Sequence, residues 1–147
     1  MNYDTVCLLD VVSVEKNIFS GLIKKIQVSG SKGELGIYPK HSQLLSLLNP
    51  GMLFILDKND NQHFFYISGG IIEVQPIRIS ILADIAILGI DLNIDEILKM
   101  KKSIENKIKN NTFSHRKTIM KDLSCELAKL RVIAMMNSKN NVILKDR

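Results

Sequence analysis

The chain has 147 residues, of which 46% are hydrophobic, 24% charged and only 5% aromatic, with a formal net charge of +5 and no tryptophan. Those proportions exclude a disordered tail or a fibrous repeat. A chain of this length can bury roughly two-thirds of its unfolded surface, enough for one core. That core must be aliphatic.

The amino terminus (Met1-Asn-Tyr-Asp-Thr5) carries no basic segment ahead of its short apolar run. A secretory leader is therefore not expected, and the chain reads as a soluble protein working inside the cell. Strand signals follow: Val6 to Val14 and Leu22 to Val28 are apolar runs of strand length. Phe64 and Tyr66 alternate with Phe65 and Ile67, and Ile77, Ile79 and Ile81 alternate with Arg78, Ser80 and Leu82. Turn signals separate them at Ser29 to Gly33, Asn49-Pro50-Gly51, Asp57 to Asn61 and Ser68-Gly69-Gly70. Short strands at this spacing, with no long helix between them, predict an antiparallel β-sandwich or flattened barrel. The richest apolar stretch, Ile79 to Ile90, is broken by Asp84 and is too short for a membrane span.

The pattern changes near Asp91 to Asn93. Residues 1–94 hold 7 Lys/Arg against 9 Asp/Glu, a net −2, while residues 95–147 hold 13 against 6, a net +7. Asn93 with Glu96 three residues on forms a capping-box pattern. Ile97, Met100, Ile104 and Ile108 then recur at helical spacing. Asn110-Asn111-Thr112 interrupts, Ser114 can cap a second helix, and its stripe is Ile119, Leu123, Leu127, Leu130 and Ala134, widened by Met120 and Ile133. The expected fold is therefore α+β: a sandwich over residues 1–91, then an antiparallel two-helix hairpin over 92–147. Asn140-Asn141 predicts a helix end near Asn137 to Lys139 and a short polar tail beyond it. Both helical stripes are narrow, so the pair needs another surface for stability.

No catalytic constellation is legible. His41, His63 and His115 lack local acid or thiol partners, Gly30-Ser31-Lys32-Gly33 lacks the spacing of a phosphate loop, and Cys7 and Cys125 lie far apart with no metal-ligand spacing. The cysteines read as small buried hydrophobes in a reducing compartment. No metal and no cofactor is expected. Asp91 and Asp95 bracket a helix start, where acids complement the dipole. Lys99, Lys101, Lys102, Lys107 and Lys109 could meet phosphates, which gives an alternative function as a nucleic-acid-binding module. They spread around the helix rather than forming one stripe, so a solvated face or a cationic hairpin seeking an acidic protein surface is the better reading.

Leu9-Asp10-Val-Val-Ser-Val14, Phe19-Ser-Gly21, Gly33-Glu-Leu-Gly-Ile-Tyr-Pro39 with His41, Ser68-Gly-Gly-Ile-Ile-Glu-Val74, Leu82-Ala-Asp84 and Leu130-Arg-Val-Ile133 occur in that order. Together they resemble the epsilon subunit of bacterial F-type ATP synthase across most of the chain. The resemblance implies a non-catalytic rotor-stalk subunit that joins the gamma subunit to the ring of c subunits and regulates ATP hydrolysis. It places the c-ring contact on Glu34 and His41 and the gamma contact on Ser68. The hairpin would be the regulatory part, either folded on the sandwich or extended into the catalytic alpha/beta head, with Arg116, Lys117, Lys121, Lys129 and Arg131 suited to an acidic loop there. Localisation would be peripheral, on the cytoplasmic face of the bacterial inner membrane. Some relatives bind ATP through an Ile/Leu-Asp-x-x-Arg-Ala motif at the first helix. Here Ile94 and Asp95 are kept, but Leu98 and Lys99 replace the Arg and Ala, so the motif is degenerate and no bound ATP is expected.

Overall fold

The computed structural model describes residues 5–110 and 115–145. Eight strands come first: β1 (Cys7–Ser13), β2 (Asn17–Gly30), β3 (Gly33–Ile37), β4 (Leu44–Asp57), β5 (Gln62–Ile67), β6 (Gly70–Val74), β7 (Arg78–Ala83) and β8 (Ala86–Leu88). A 3-10 turn (Gly89–Asp91) leads into helices α1 (Ile94–Asn110) and α2 (Arg116–Lys145). The strand order is β3-β2-β1-β7-β6-β4-β5-β8, and an added β2–β4 pairing closes β2, β1, β7, β6 and β4 into a ring.

The two long strands make the closure possible. β4 pairs with β6 through Leu48 and with β5 from Gly51 onward. The predicted turn at Asn49-Pro50-Gly51 is therefore an interior bend where one strand passes between layers. Pro50 suits that bend because it has no N–H to leave unpaired. Ser68-Gly69-Gly70 is the matching corner on the neighbouring strand, between β5 and β6. Gly70 has φ +147°, and a Cβ there would collide with the Leu82 carbonyl oxygen, so only glycine fits.

The sandwich is antiparallel apart from one pairing. β1 and β7 run parallel, from Leu8↔Arg78 to Ser13↔Ala83. This corrects the all-antiparallel expectation: the two strands are far apart in sequence, and no hairpin constrains their direction. Ile77 also departs from the predicted alternation. It lies in the β6–β7 connection, 67% exposed, and the buried register starts at Ile79.

The interior is aliphatic, as the composition required. Leu9, Ile23, Ile37, Leu53, Ile55, Ile72 and Ile79 are shut from solvent, with Cys7 among them. All the residues of this core cluster come from strands. Burial pushes the Cys7 thiol pKa up.

Asn93 caps α1 as expected, its Oδ1 accepting from the N–H groups of Asp95 (3.0 Å) and Glu96 (3.3 Å). The Ser114 cap lies outside the described residues. Ile97 and Ile104 are buried against α2, whereas Met100, assigned to the same stripe, is 52% exposed. The larger correction is in α2. The helix continues to Lys145 rather than ending near Asn137 to Lys139, because the Asn140-Asn141 pair carries no Gly or Pro to break it.

Candidate functional site

The sandwich has two outer faces that differ in cover. On one, β4, β5 and β8 turn Phe54, Phe64, Tyr66 and Ile87 outward, and α2 lies across them. The helix contributes Cys125, Ala128, Val132 and Met136, spaced three and four residues apart on one side. Val132 has no solvent exposure. α2 is thus held between α1 and the sheet and has two apolar sides. The predicted stripe described neither well: Leu127 and Ala134 are exposed, while Leu123 and Leu130 are half-buried.

Polar contacts fix this dock. Glu126 is buried and accepts from Lys129 Nζ at 3.0 Å, and the same ammonium stands 5.3 Å from the centre of the Tyr66 ring. Burial, with the neighbouring Cys125 and Glu126, drives the Tyr66 pKa above its ordinary value. Lys139 Nζ sits 3.6 Å over the Phe54 ring, which Lys25 also approaches at 5.7 Å. Burial first, and Lys25 second, lower the Lys139 pKa.

The opposite face, on β4, β6, β7 and β1, is bare. Register aligns Leu47 with Ile71, Ile71 with Leu82, and Leu82 with Val12 in one row across four strands. Their exposures are 63%, 41%, 54% and 39%. Beside the row, Asp10 accepts from Ser20 Oγ and Arg78 Nη2, each at 2.7 Å, and these partners lower its pKa, Ser20 first. Buried on a partner, each exposed aliphatic chain would contribute about 1 kcal/mol.

Ser68 lies at the β5–β6 corner, three residues ahead of Ile71 in the chain. Its N–H donates to the Ile85 carbonyl and its Oγ accepts from the Ile85 N–H, both at 3.0 Å. Glu34 is exposed, in strand β3. It pairs across from Ser29, whose Oγ donates to Glu34 Oε1 at 2.8 Å. His41 lies past the other end of β3, about 10 Å along the strand. Its Nδ1 donates to the Ser42 carbonyl at 2.8 Å, and the Lys40 N–H to Pro76 bond ties its loop to the β6–β7 connection. Exposed Tyr38 and Ile77 flank that end. Glu34 and His41 are therefore neighbours in sequence but not in contact.

The five hairpin cations do not form one surface. Arg116 and Lys117 lie at the start of α2, Lys129 is engaged by Glu126, and Lys121 and Arg131 face a cleft shared with the sandwich. Ile94 and Asp95 are exposed on the first turn of α1. The adjoining cavity, about 220 Å³, is lined by Asp91, Glu96 and Glu126 against Lys129 alone.

Sequence reasoning missed the docking residues Cys125, Ala128, Val132, Met136 and Lys139. One signal pointed to them: β5 reads Phe64-Phe65-Tyr66-Ile67, apolar on both faces, which requires cover on both.

A strand ring capped on one side by a helical hairpin and bare on the other defines a β-sandwich with a C-terminal hairpin and one exposed apolar face. The sequence model "ATP synthase, Delta/Epsilon chain, beta-sandwich domain" matches residues 7–89, and the chain belongs to that family. Among solved structures, a chain of the Euglena gracilis mitochondrial ATP synthase (OSCP/F1/c-ring, rotational state 1) superposes with a TM-score of 0.80 at 18% identity, covering 87% of this chain and 81% of its own. A chain of the Tetrahymena thermophila mitochondrial ATP synthase central stalk/c-ring superposes with a TM-score of 0.64, also at 18% identity, covering 86% and 96%. Among the described residues, no helix is long and apolar enough to cross a membrane.

Proposed function

We propose that this chain is a non-catalytic stalk subunit of a proton-translocating F-type ATP synthase. Its bare sandwich face binds the gamma subunit, and Glu34 and His41, at opposite ends of β3, meet the c-ring. The subunit is peripheral, on the cytoplasmic face of the bacterial inner membrane. Its hairpin regulates ATP hydrolysis by leaving the sandwich and engaging the catalytic alpha/beta subunits. The observation that carries this reading is the row Leu47, Ile71, Leu82 and Val12, solvent-exposed in a chain of the delta/epsilon family. An exposed apolar row of this kind marks a protein contact. Ser68 lies at its margin, so gamma contact extends to that corner.

The regulatory half rests on the architecture of the hairpin. The helices bury one set of side chains on the sandwich and leave cations at several positions outside it, an arrangement suited to two alternative packings. The test is ATP hydrolysis by a purified catalytic complex stripped of this subunit, with full-length chain or residues 1–91 added back. Binding by both forms and inhibition by the full-length chain alone is the expected result. Inhibition by neither would remove the regulatory role while keeping the docking role. Failure of both to bind would overturn the assignment.

A further inference from the structure

Two sets of residues that the sequence assigned to different partners meet in one cleft. Ser29, Glu34 and Asn49 line its sandwich side, and Lys121, Ser124 and Arg131 line its α2 side, around an open volume of about 540 Å³. Residues 121, 124, 128 and 131 fall on one side of the helix, and Ala128 is buried in the dock itself. Docking of Ala128 and Val132 therefore delivers both cations to the cleft, and undocking withdraws both. Among the described residues, Glu34 receives one hydrogen bond, from Ser29 Oγ at 2.8 Å, which leaves most of its acceptor capacity for other donors.

We propose that Lys121 and Arg131 form an electrostatic latch on Glu34, so that hairpin docking and c-ring contact compete for the same carboxylate. The proposal rests on the function proposed above, in which Glu34 meets the c-ring. When α2 is docked, two cations share the cleft with Glu34 and oppose the approach of basic groups on a partner. When a partner takes Glu34, the latch loses its anion and the hairpin is freer to leave. Linkage makes the effect reciprocal: whatever the hairpin costs the ring contact, the ring contact costs the hairpin. Exposed charges across a wet cleft interact weakly, so the expected coupling is a few-fold rather than an all-or-none lock.

The two cysteines supply the readout in the full-length chain. Cys125 is half-buried in the dock, and Cys7 is sealed in the sandwich core. The reaction of Cys125 with a thiol reagent reports undocking, while protection of Cys7 shows that the sandwich stays folded. At low ionic strength, Glu34→Gln should speed Cys125 labelling two- to fivefold, and Lys121→Gln with Arg131→Gln should do the same. The triple variant should be no faster than either, and molar salt should erase the differences. Wild-type labelling in Glu34→Gln, or fully additive effects, would overturn the latch. A separate arm measures the affinity of Glu34→Gln for c-ring-containing complex stripped of this subunit. Unchanged affinity there with faster labelling would overturn the ring half of the competition and leave the latch standing.

Discussion

The two outer faces of the sandwich are built from the same ladder and finished differently. The covered face carries aromatic side chains, Phe54, Phe64 and Tyr66, and is closed by the chain's own α2. The bare face carries aliphatic ones, Val12, Leu47, Ile71 and Leu82, aligned in register and left to solvent. An intramolecular cover needs no partner to be present, and clasps such as Lys129 over Tyr66 and Lys139 over Phe54 can hold it in one register. A face reserved for another chain needs complementary shape and dryness more than charge. The difference teaches that side-chain pattern alone marks both faces as apolar, while the topology shows which one the chain has already used.

The strongest way to break this contrast is to charge the covered face. Val132→Asp places a carboxylate where there is no solvent access, at a cost of several kcal/mol. Labelling of Cys125 should rise on the order of 100-fold, while Cys7 stays protected because its core contains no helix residue. Equal acceleration at both thiols would mean that hairpin and sandwich unfold together. Charging the bare face should have the opposite profile. Leu82→Asp, at a half-exposed position, should leave the melting temperature of the isolated chain within a few degrees of wild type. Its affinity for the gamma-containing stalk should fall about 10- to 100-fold, as measured by surface binding. A variant that binds as wild type would move the docking face elsewhere.

A smaller effect separates the faces by pH. Asp57 accepts from His63 Nε2 and from the N–H groups of Asn59 and Asn61, and His63 foremost holds its pKa down to about 2. A depressed carboxylate pKa gives stability that is fully present above the ordinary value near 3.8 and lost as pH falls toward about 2. Thermal melts should show that loss at the β4–β5 turn in wild type and less of it in Asp57→Asn. Lys139 works in the other direction: its lowered pKa means that the docked state binds protons less well than the free helix. Docking should therefore tighten as pH rises through the window between the lowered pKa and the ordinary lysine value, with slower Cys125 release once reagent ionisation is corrected for.

Legibility in the sequence followed the range of the interactions. The Asn93 cap is decided within one turn of helix and reads directly from Asn93 and Glu96. The sandwich and hairpin read from hydrophobic period and from the shift in charge near Asp91. Asn49-Pro50-Gly51 misled because a bend inside a strand uses the same residues as a turn between strands. The parallel β1–β7 pair joins residues about 70 positions apart and leaves no local trace. α2 was the hardest element: with α1 on one side and the sheet on another, its apolar residues spread over two faces and blur the single stripe that periodicity detects. That Glu34 shares a cleft with Lys121 and Arg131 depends on how α2 lies on the sandwich, which no local pattern encodes.

The ring of β2, β1, β7, β6 and β4 has a mechanical meaning as well. An open sheet under sideways load can peel from an edge one hydrogen bond at a time. A closed ring has no such starting point, and the strands left outside it, β3, β5 and β8, are short. Load entering through the bare face reaches several ladders in parallel, so each bond carries a fraction of it. In the stalk role proposed above, that would make the sandwich a stiff washer, with compliance left to the helices attached to one side.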